Sequence, residues 1–149
     1  MEPVSLELRP VRTGDLPRLA ELERSCFSAP WSEAQLEALL SNSQGKMLAA
    51  VRGDKIVGYV SWEQVLDEAQ VANLEVDPAW RRQGIARQLV SAMISQARSE
   101  GASRLTLEVQ AGKAGARRLY EEQGFVPTGL RKGYYKIDRD DAILMDLRL

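Results

Sequence analysis

Residues 74–90 constrain this chain more than any other stretch: Leu74-Glu75-Val76-Asp77-Pro78-Ala79-Trp80-Arg81-Arg82-Gln83-Gly84-Ile85-Ala86-Arg87-Gln88-Leu89-Val90. A strand-like run breaks at a proline, a basic turn with one glycine follows, and an amphipathic helix begins at once. The helix must lay its apolar stripe on a sheet. Its first turn leaves backbone N–H groups unpaired at the positive end of the helix dipole, with arginines beside them. Such a turn is a receptor for a pyrophosphate. The spacing matches neither the P-loop pattern nor the dinucleotide pattern G-x-G-x-x-G.

The flanking segments alternate between strand and helix periods. Ser5 to Val11 reads as a strand, and Thr13 is placed to cap a helix carrying Leu16, Leu19, Ala20 and Leu22. Ser32, after Pro30-Trp31, caps a second helix with Leu36, Leu39 and Leu40. Met47 to Val51 and Ile56 to Trp62 are strands around the turn Arg52-Gly53-Asp54-Lys55, and another strand covers Ala69 to Val76. The helix from Gly84 to about Glu100 ends at Gly101. A strand from Arg104 to Gln110 and a helix from Lys113 to Gln123 follow, then strands near Phe125 to Leu130 and Ala142 to Leu147. The strand–helix–strand unit in the second half requires a parallel pair, so the fold class is α/β with a mixed sheet. No linker or repeat interrupts the 149 residues, and a single domain over 1–149 is expected.

Composition prunes the chemistry. The chain has no histidine, which removes Ser-His-Asp and Cys-His catalysis and imidazole-based zinc sites; no metal site is expected. A general base must be a carboxylate, a tyrosine, a lysine or water. The lone cysteine, Cys26, excludes an internal disulfide. It lies on the apolar side of the first helix with Leu19 and Leu22, where a buried structural thiol is expected. A net charge of −1 argues against direct nucleic-acid binding. No apolar run approaches the ~20 residues of a membrane span, and Met1-Glu2-Pro3 lacks a signal-peptide pattern, so no membrane association and a cytoplasmic location are expected.

Two residues stand out for chemistry. On the strand 104–110, Leu105, Leu107 and Val109 share one face and Thr106, Glu108 and Gln110 the other. Glutamate is depleted in strands, so Glu108 is either a general base acting through water or a solvated residue on an open sheet face. Tyr120 is either an acid able to protonate a departing thiolate or an aromatic that packs its helix onto the sheet. The reference pKa values of the two groups, about 10 and about 8.5, lie close enough for transfer.

The motif Arg81-x-x-Gly84-x-Ala86 resembles the acetyl-CoA signature Q/R-x-x-G-x-G/A of the GNAT acyltransferases. Leu107-Glu108-Val109, Ala114, Leu119-Tyr120-Glu121 and Gly124-Phe125 resemble the later motif of the same family. Phe27 with Pro30-Trp31-Ser32, Val65-Leu66-Asp67-Glu68-Ala69, Asn73, Gly133-Tyr134-Tyr135 and Asp141-Ala142-Ile143-Leu144-Met145 resemble its RimI-type, ribosomal-protein-alanine N-acetyltransferase subfamily. The similarity runs in order over nearly the whole chain. It implies a GNAT fold, a mostly antiparallel mixed sheet with flanking helices, in which two parallel strands splay near Val76 and Gln110 to admit acetyl-CoA.

The resemblance further implies that Leu74, Glu75 and Val76, with Arg82, Gln83, Gly84, Ile85, Ala86 and Arg87, hold acetyl-CoA. It implies Glu108 as base and Tyr120 as acid, Tyr120 also touching the cofactor. The acceptor it implies is the N-terminal α-amine of a protein, a ribosomal protein with alanine first. The segment Phe27 to Ser32, with Trp31, and a loop from Arg131 to Ile137, with Tyr134 and Tyr135, are the candidate acceptor walls; packing is the other reading of the tyrosine pair. Asp67 and Glu68 either attract a basic peptide or form a solvated hairpin end. Three departures from the family matter. Lys113 stands where asparagine is common and can reach a phosphate but cannot accept a hydrogen bond. Ala86 replaces a glycine, and Gly133 replaces an asparagine. Glu75 is a rival base on the face of Asn73 and Asp77. Two alternatives remain: an acetyltransferase of a small-molecule amine or lysine side chain, and a non-catalytic acyl-CoA-binding module.

Overall fold

Alternating apolar residues build the strands and 3.6-period stripes build the helices, and the computed structural model, which describes residues 6–149, shows both, with two departures from the pattern given below. In chain order the elements are β1 (Leu6–Pro10), α1 (Leu16–Cys26), α2 (Glu33–Ser41), β2 (Gly45–Arg52), β3 (Lys55–Val65), β4 (Glu68–Val76), α3 (Ile85–Ser99), β5 (Arg104–Gln110), α4 (Ala114–Glu122), β6 (Val126–Tyr135) and β7 (Asp140–Arg148). Ser5, the expected first residue of the first strand, lies outside the described residues. Among those residues the strands form one seven-stranded sheet in the order β1-β2-β3-β4-β5-β7-β6. Every neighbouring pair is antiparallel except β4 and β5, which α3 connects as a crossover. The expected α/β mixed sheet is present.

Successive strand residues point to opposite faces, so the sheet carries two cores. On one face, Leu89, Val90, Met93 and Ala97 of α3 and Tyr120 of α4 pack on Val57, Trp62, Leu105, Leu107, Val109 and Met145. On the other, Leu16, Leu19 and Leu22 of α1 and Leu36 and Leu39 of α2 pack on Met47, Ala49, Val51 and Tyr59. The second core takes no residue from β5, β6 or β7. Thr106, Glu108 and Gln110 therefore face an open side and stay half-buried.

Ser32 caps α2 as expected: the Gln35 N–H donates to its Oγ at 3.2 Å and its own N–H donates to Gln35 Oε1 at 2.8 Å. Thr13 does not cap α1. A 3-10 turn, Thr13–Asp15, intervenes. Asp15 shapes it: its carboxylate accepts from the Arg12 N–H at 2.7 Å and from both ends of the Arg9 guanidinium at 2.7 and 3.0 Å. The expected loop beginning at Arg131 is also corrected. Residues through Tyr135 belong to β6, whose register with β7 shifts between Arg131 and Tyr135, and Gly133 sits there at φ +63°. Among the described residues, no helix is long and apolar enough to cross a membrane.

Candidate functional site

Strands β4 and β5 pair over only three positions, Glu68 with Arg104, Ala69 with Leu105 and Gln70 with Thr106. Beyond Gln70 they part, leaving a gap between residues 71–76 and 107–110. On its other edge β4 stays paired with β3, where the Asp77 N–H donates to the Val57 carbonyl at 2.8 Å. Backbone groups alternate sides along a strand, so the N–H and C=O of Val76 and Leu74 point into the gap. The gap opens into a cleft of about 1280 Å³ walled by residues from α1, β4, the turn before α3, β5, α4 and β6.

The turn is built by its sequence. Asp77 Oδ1 accepts from the Ala79 N–H at 2.9 Å, Pro78–Trp80 form a 3-10 turn, and Arg82 and Gly84 hold φ values of +63° and +77°. Gly84 is the N-cap of α3 and has no side chain to cap it, so the first N–H groups of the helix stay available to a ligand. Arg81, Arg82, Gly84, Ile85, Ala86 and Arg87 all line the cleft; Gln83 sits in the turn but is not among the walls. Backbone amides and carbonyls in the gap, followed by N–H groups and guanidinium groups at a helix start, suit a pantetheine arm and a diphosphate. The donor set therefore fits acetyl-CoA.

Glu108 and Tyr120 line the same cleft, as do Leu74, Glu75, Val76, Lys113, Trp31, Tyr134 and Tyr135. Glu108 Oε1 lies 3.3 Å from Arg131 Nη1, an ion pair reaching across β7 from β6. The Tyr134 hydroxyl donates to the same carboxylate, which raises its pKa, and the Arg131 guanidinium sits 5.6 Å from the Tyr134 ring. Tyr134 and Tyr135 meet edge to face at 5.1 Å. Burial first, then the Glu108 charge, push Tyr135 up to about 12. Tyr120 is buried, packs edge-on against Phe125 at 5.5 Å and has its pKa raised by desolvation.

The Lys113 ammonium lies 4.6 Å over the Phe27 ring, at the wall of the cleft. Beside it, the Ser28 hydroxyl donates to Asp138 at 2.8 and 2.9 Å, joining the α1–α2 segment to the β6–β7 turn. Cys26 is a correction. It is half-buried and lines the cleft, with Sγ 3.7 Å from the Val76 carbonyl and 3.6 Å from Arg81 Nη2. It closes the last turn of α1, where the apolar stripe meets the cleft rather than the core. Glu75 does share a face with Asn73, but α1 covers that face; Glu75 is 3% exposed and both its oxygens lack a hydrogen-bond partner. Asp67 accepts from the Ser103 hydroxyl at 2.9 Å and Glu68 pairs with Arg104 at 3.2 Å, so this hairpin end is tied into the fold.

The sequence profile of the acetyltransferase (GNAT) family matches residues 16–125, a span running from α1 through the gap to the start of β6. The chain belongs to the GNAT family. As a GNAT acetyltransferase it uses acetyl-CoA as donor. It is 37% identical over 140 residues to the [ribosomal protein bS18]-alanine N-acetyltransferase of Haemophilus ducreyi, covering 91% of this chain and 94% of that one. To the enzyme of the same name from Escherichia coli K12 it is 36% identical over 141 residues, 92% and 93% of the two chains. The crystal structure of the ribosomal-protein-S18-alanine N-acetyltransferase from Escherichia coli superposes with a TM-score of 0.91 at 33% identity, covering 97% of this chain and 94% of the other.

The sequence reading of this GNAT chain overlooked two residues of the site. Arg131 begins the expected loop, whereas the strand aims it at Glu108. Glu23 lies on the α1 stripe of Leu16, Leu19 and Ala20 and is 1% exposed. A carboxylate at a core position of an amphipathic helix was the available signal.

Proposed function

We propose that this protein transfers an acetyl group from acetyl-CoA to the free N-terminal α-amine of a protein, with the N-terminal alanine of ribosomal protein bS18 as acceptor, in the cytoplasm. The observation that carries this reading is the similarity to bS18-alanine N-acetyltransferases along more than nine tenths of both chains. The open face of β5, β7 and β6 supports it, because it leaves an approach to Glu108 that no helix covers.

Bound acetyl-CoA supplies an activated acetyl thioester. The Val76 N–H polarises the thioester carbonyl; one such preorganised donor contributes about 3–4 kcal/mol to lowering a barrier. Glu108 takes the proton of the attacking amine through water. An α-amine has a reference pKa of about 7.7–8.0, so a carboxylate has a modest task near neutrality. Arg131 and Tyr134 fix the Glu108 carboxylate in place. Tyr120 is held protonated by its buried pocket until the C–S bond breaks, and it then gives that proton to the leaving sulfur. The same dry pocket disfavours a thiolate, so both groups are raised together and transfer between them stays feasible. Trp31, Tyr134 and Tyr135 wall the first residues of the acceptor. Acetyl transfer onto peptides that differ in their first two residues tests the reading, beside an N-blocked, lysine-containing version. Preference for a free N-terminal alanine is expected; equal transfer to the blocked peptide overturns it.

A further inference from the structure

The proposed reaction leaves two buried carboxylates of the cleft unused, Glu75 and Glu23, and of the two Glu23 is the one that accepts hydrogen bonds. Glu23 Oε1 accepts from the Trp31 backbone N–H at 2.9 Å and from Nδ2 of Asn73 at 3.2 Å, and Asn73 Oδ1 accepts from the Ser61 hydroxyl at 3.3 Å. One oxygen thus joins three pieces of the site: the end of α1, the segment that carries Trp31, and β4 where it borders the gap. The bonds among Glu23, Asn73 and Ser61 are buried, and the bond to Trp31 is part-buried. Oε2 of Glu23 and the Tyr59 hydroxyl lie side by side and each lacks another partner. Burial raises the Glu23 pKa, and hydrogen bonding from Tyr59 and Asn73 opposes that rise. Packing alone does not call for this residue, since an apolar side chain of similar volume avoids the desolvation cost of a carboxylate.

We propose that Glu23 is a positioning residue for the acceptor: by tying the Trp31 backbone to the Asn73 side chain, it sets the acceptor wall at a fixed distance from the strand that carries the acetyl donor. The inference rests on reading Trp31 as part of that wall. It acts on where the acceptor sits, not on the proton transfers.

The test is steady-state kinetics with an alanine-initiated peptide and acetyl-CoA varied in turn. Glu23→Met keeps the volume and removes the acceptor oxygen. The expected result is a peptide KM raised about tenfold with the acetyl-CoA KM within about twofold, the signature of lost acceptor binding. Glu23→Gln retains an oxygen able to accept from both donors, so both constants are expected within about twofold of the parent. If Glu23→Met fails to fold, Asn73→Ala cuts the same link from the strand side and is expected to give the same split. Unchanged constants in the folded variant, a parallel rise in both KM values, or no rescue by glutamine overturns the proposal. Trp31→Ala separates the two readings. If it leaves the peptide KM unchanged, the acceptor wall itself is misplaced and the proposal falls with it. If it raises the peptide KM while Glu23→Met does not, the role of Glu23 alone is overturned.

Discussion

Glu108 is restrained by its neighbours and Tyr120 by its burial, and the two call for different experiments. Glu108 is held by Arg131 and Tyr134 on an accessible sheet face. Glu108→Gln keeps the shape and removes the basicity, so kcat is expected to fall about 100-fold or more while acetyl-CoA binding is retained, as for loss of a general base. Calorimetric titration with acetyl-CoA, run beside the kinetic assay, checks both halves. Glu23 makes a separate prediction about stability. Its pKa is raised above the ordinary value of 4.5, first by burial. Between that value and the raised one, the folded chain holds more protons than the unfolded chain. Stability therefore falls as pH rises through this window. Glu23→Gln is expected to flatten that fall, and urea midpoints measured from pH 4.5 upward read the difference.

At the scale of elements, the turn between β4 and α3 is the proposed donor site, and its backbone depends on Gly84. A Cβ at Gly84 meets no atom within 4 Å, so a substitution there costs only backbone strain at φ +77°. Gly84→Ala is expected to lose about 1–2 kcal/mol of stability and to raise the acetyl-CoA KM with the peptide KM unchanged; chemical denaturation and kinetics check the two effects. The sequence made most elements legible because period and caps agreed. Arg104–Gln110 alternates cleanly, and Ser32 with Gln35 signals its own helix. It misplaced the start of α1 because Thr13 looks like a cap, whereas the turn is organised by an ion pair between Arg9 and Asp15 that no local pattern reveals. It read residues from Arg131 onward as a loop because Gly133 and two cations interrupt the alternation, while pairing with β7 carries the strand through. In the site, the donor turn and Glu108 were visible as motif and as face. Glu23 and Arg131 were not singled out, since their roles come from partners distant in sequence, Asn73 and Glu108.

For the whole molecule, the two cores meet only through the sheet, and the gap interrupts that sheet. Free CoA that binds the folded chain alone adds RT ln(1 + [L]/Kd), about 2.7 kcal/mol at a hundredfold excess over Kd. For a chain of this size that corresponds to a rise in Tm of roughly 5–10 °C. Differential scanning fluorimetry with and without CoA measures it. A shift well below that range at saturation argues that the ligand does not enter the gap. The brief contact between β4 and β5 has one more consequence. With three rungs as the seam between its halves, the sheet is left open beyond them, and on the proposed reading the donor's pantetheine serves as the missing lath. The protein then completes its own framework only while it is loaded, and each turnover ends by taking a piece of that framework out.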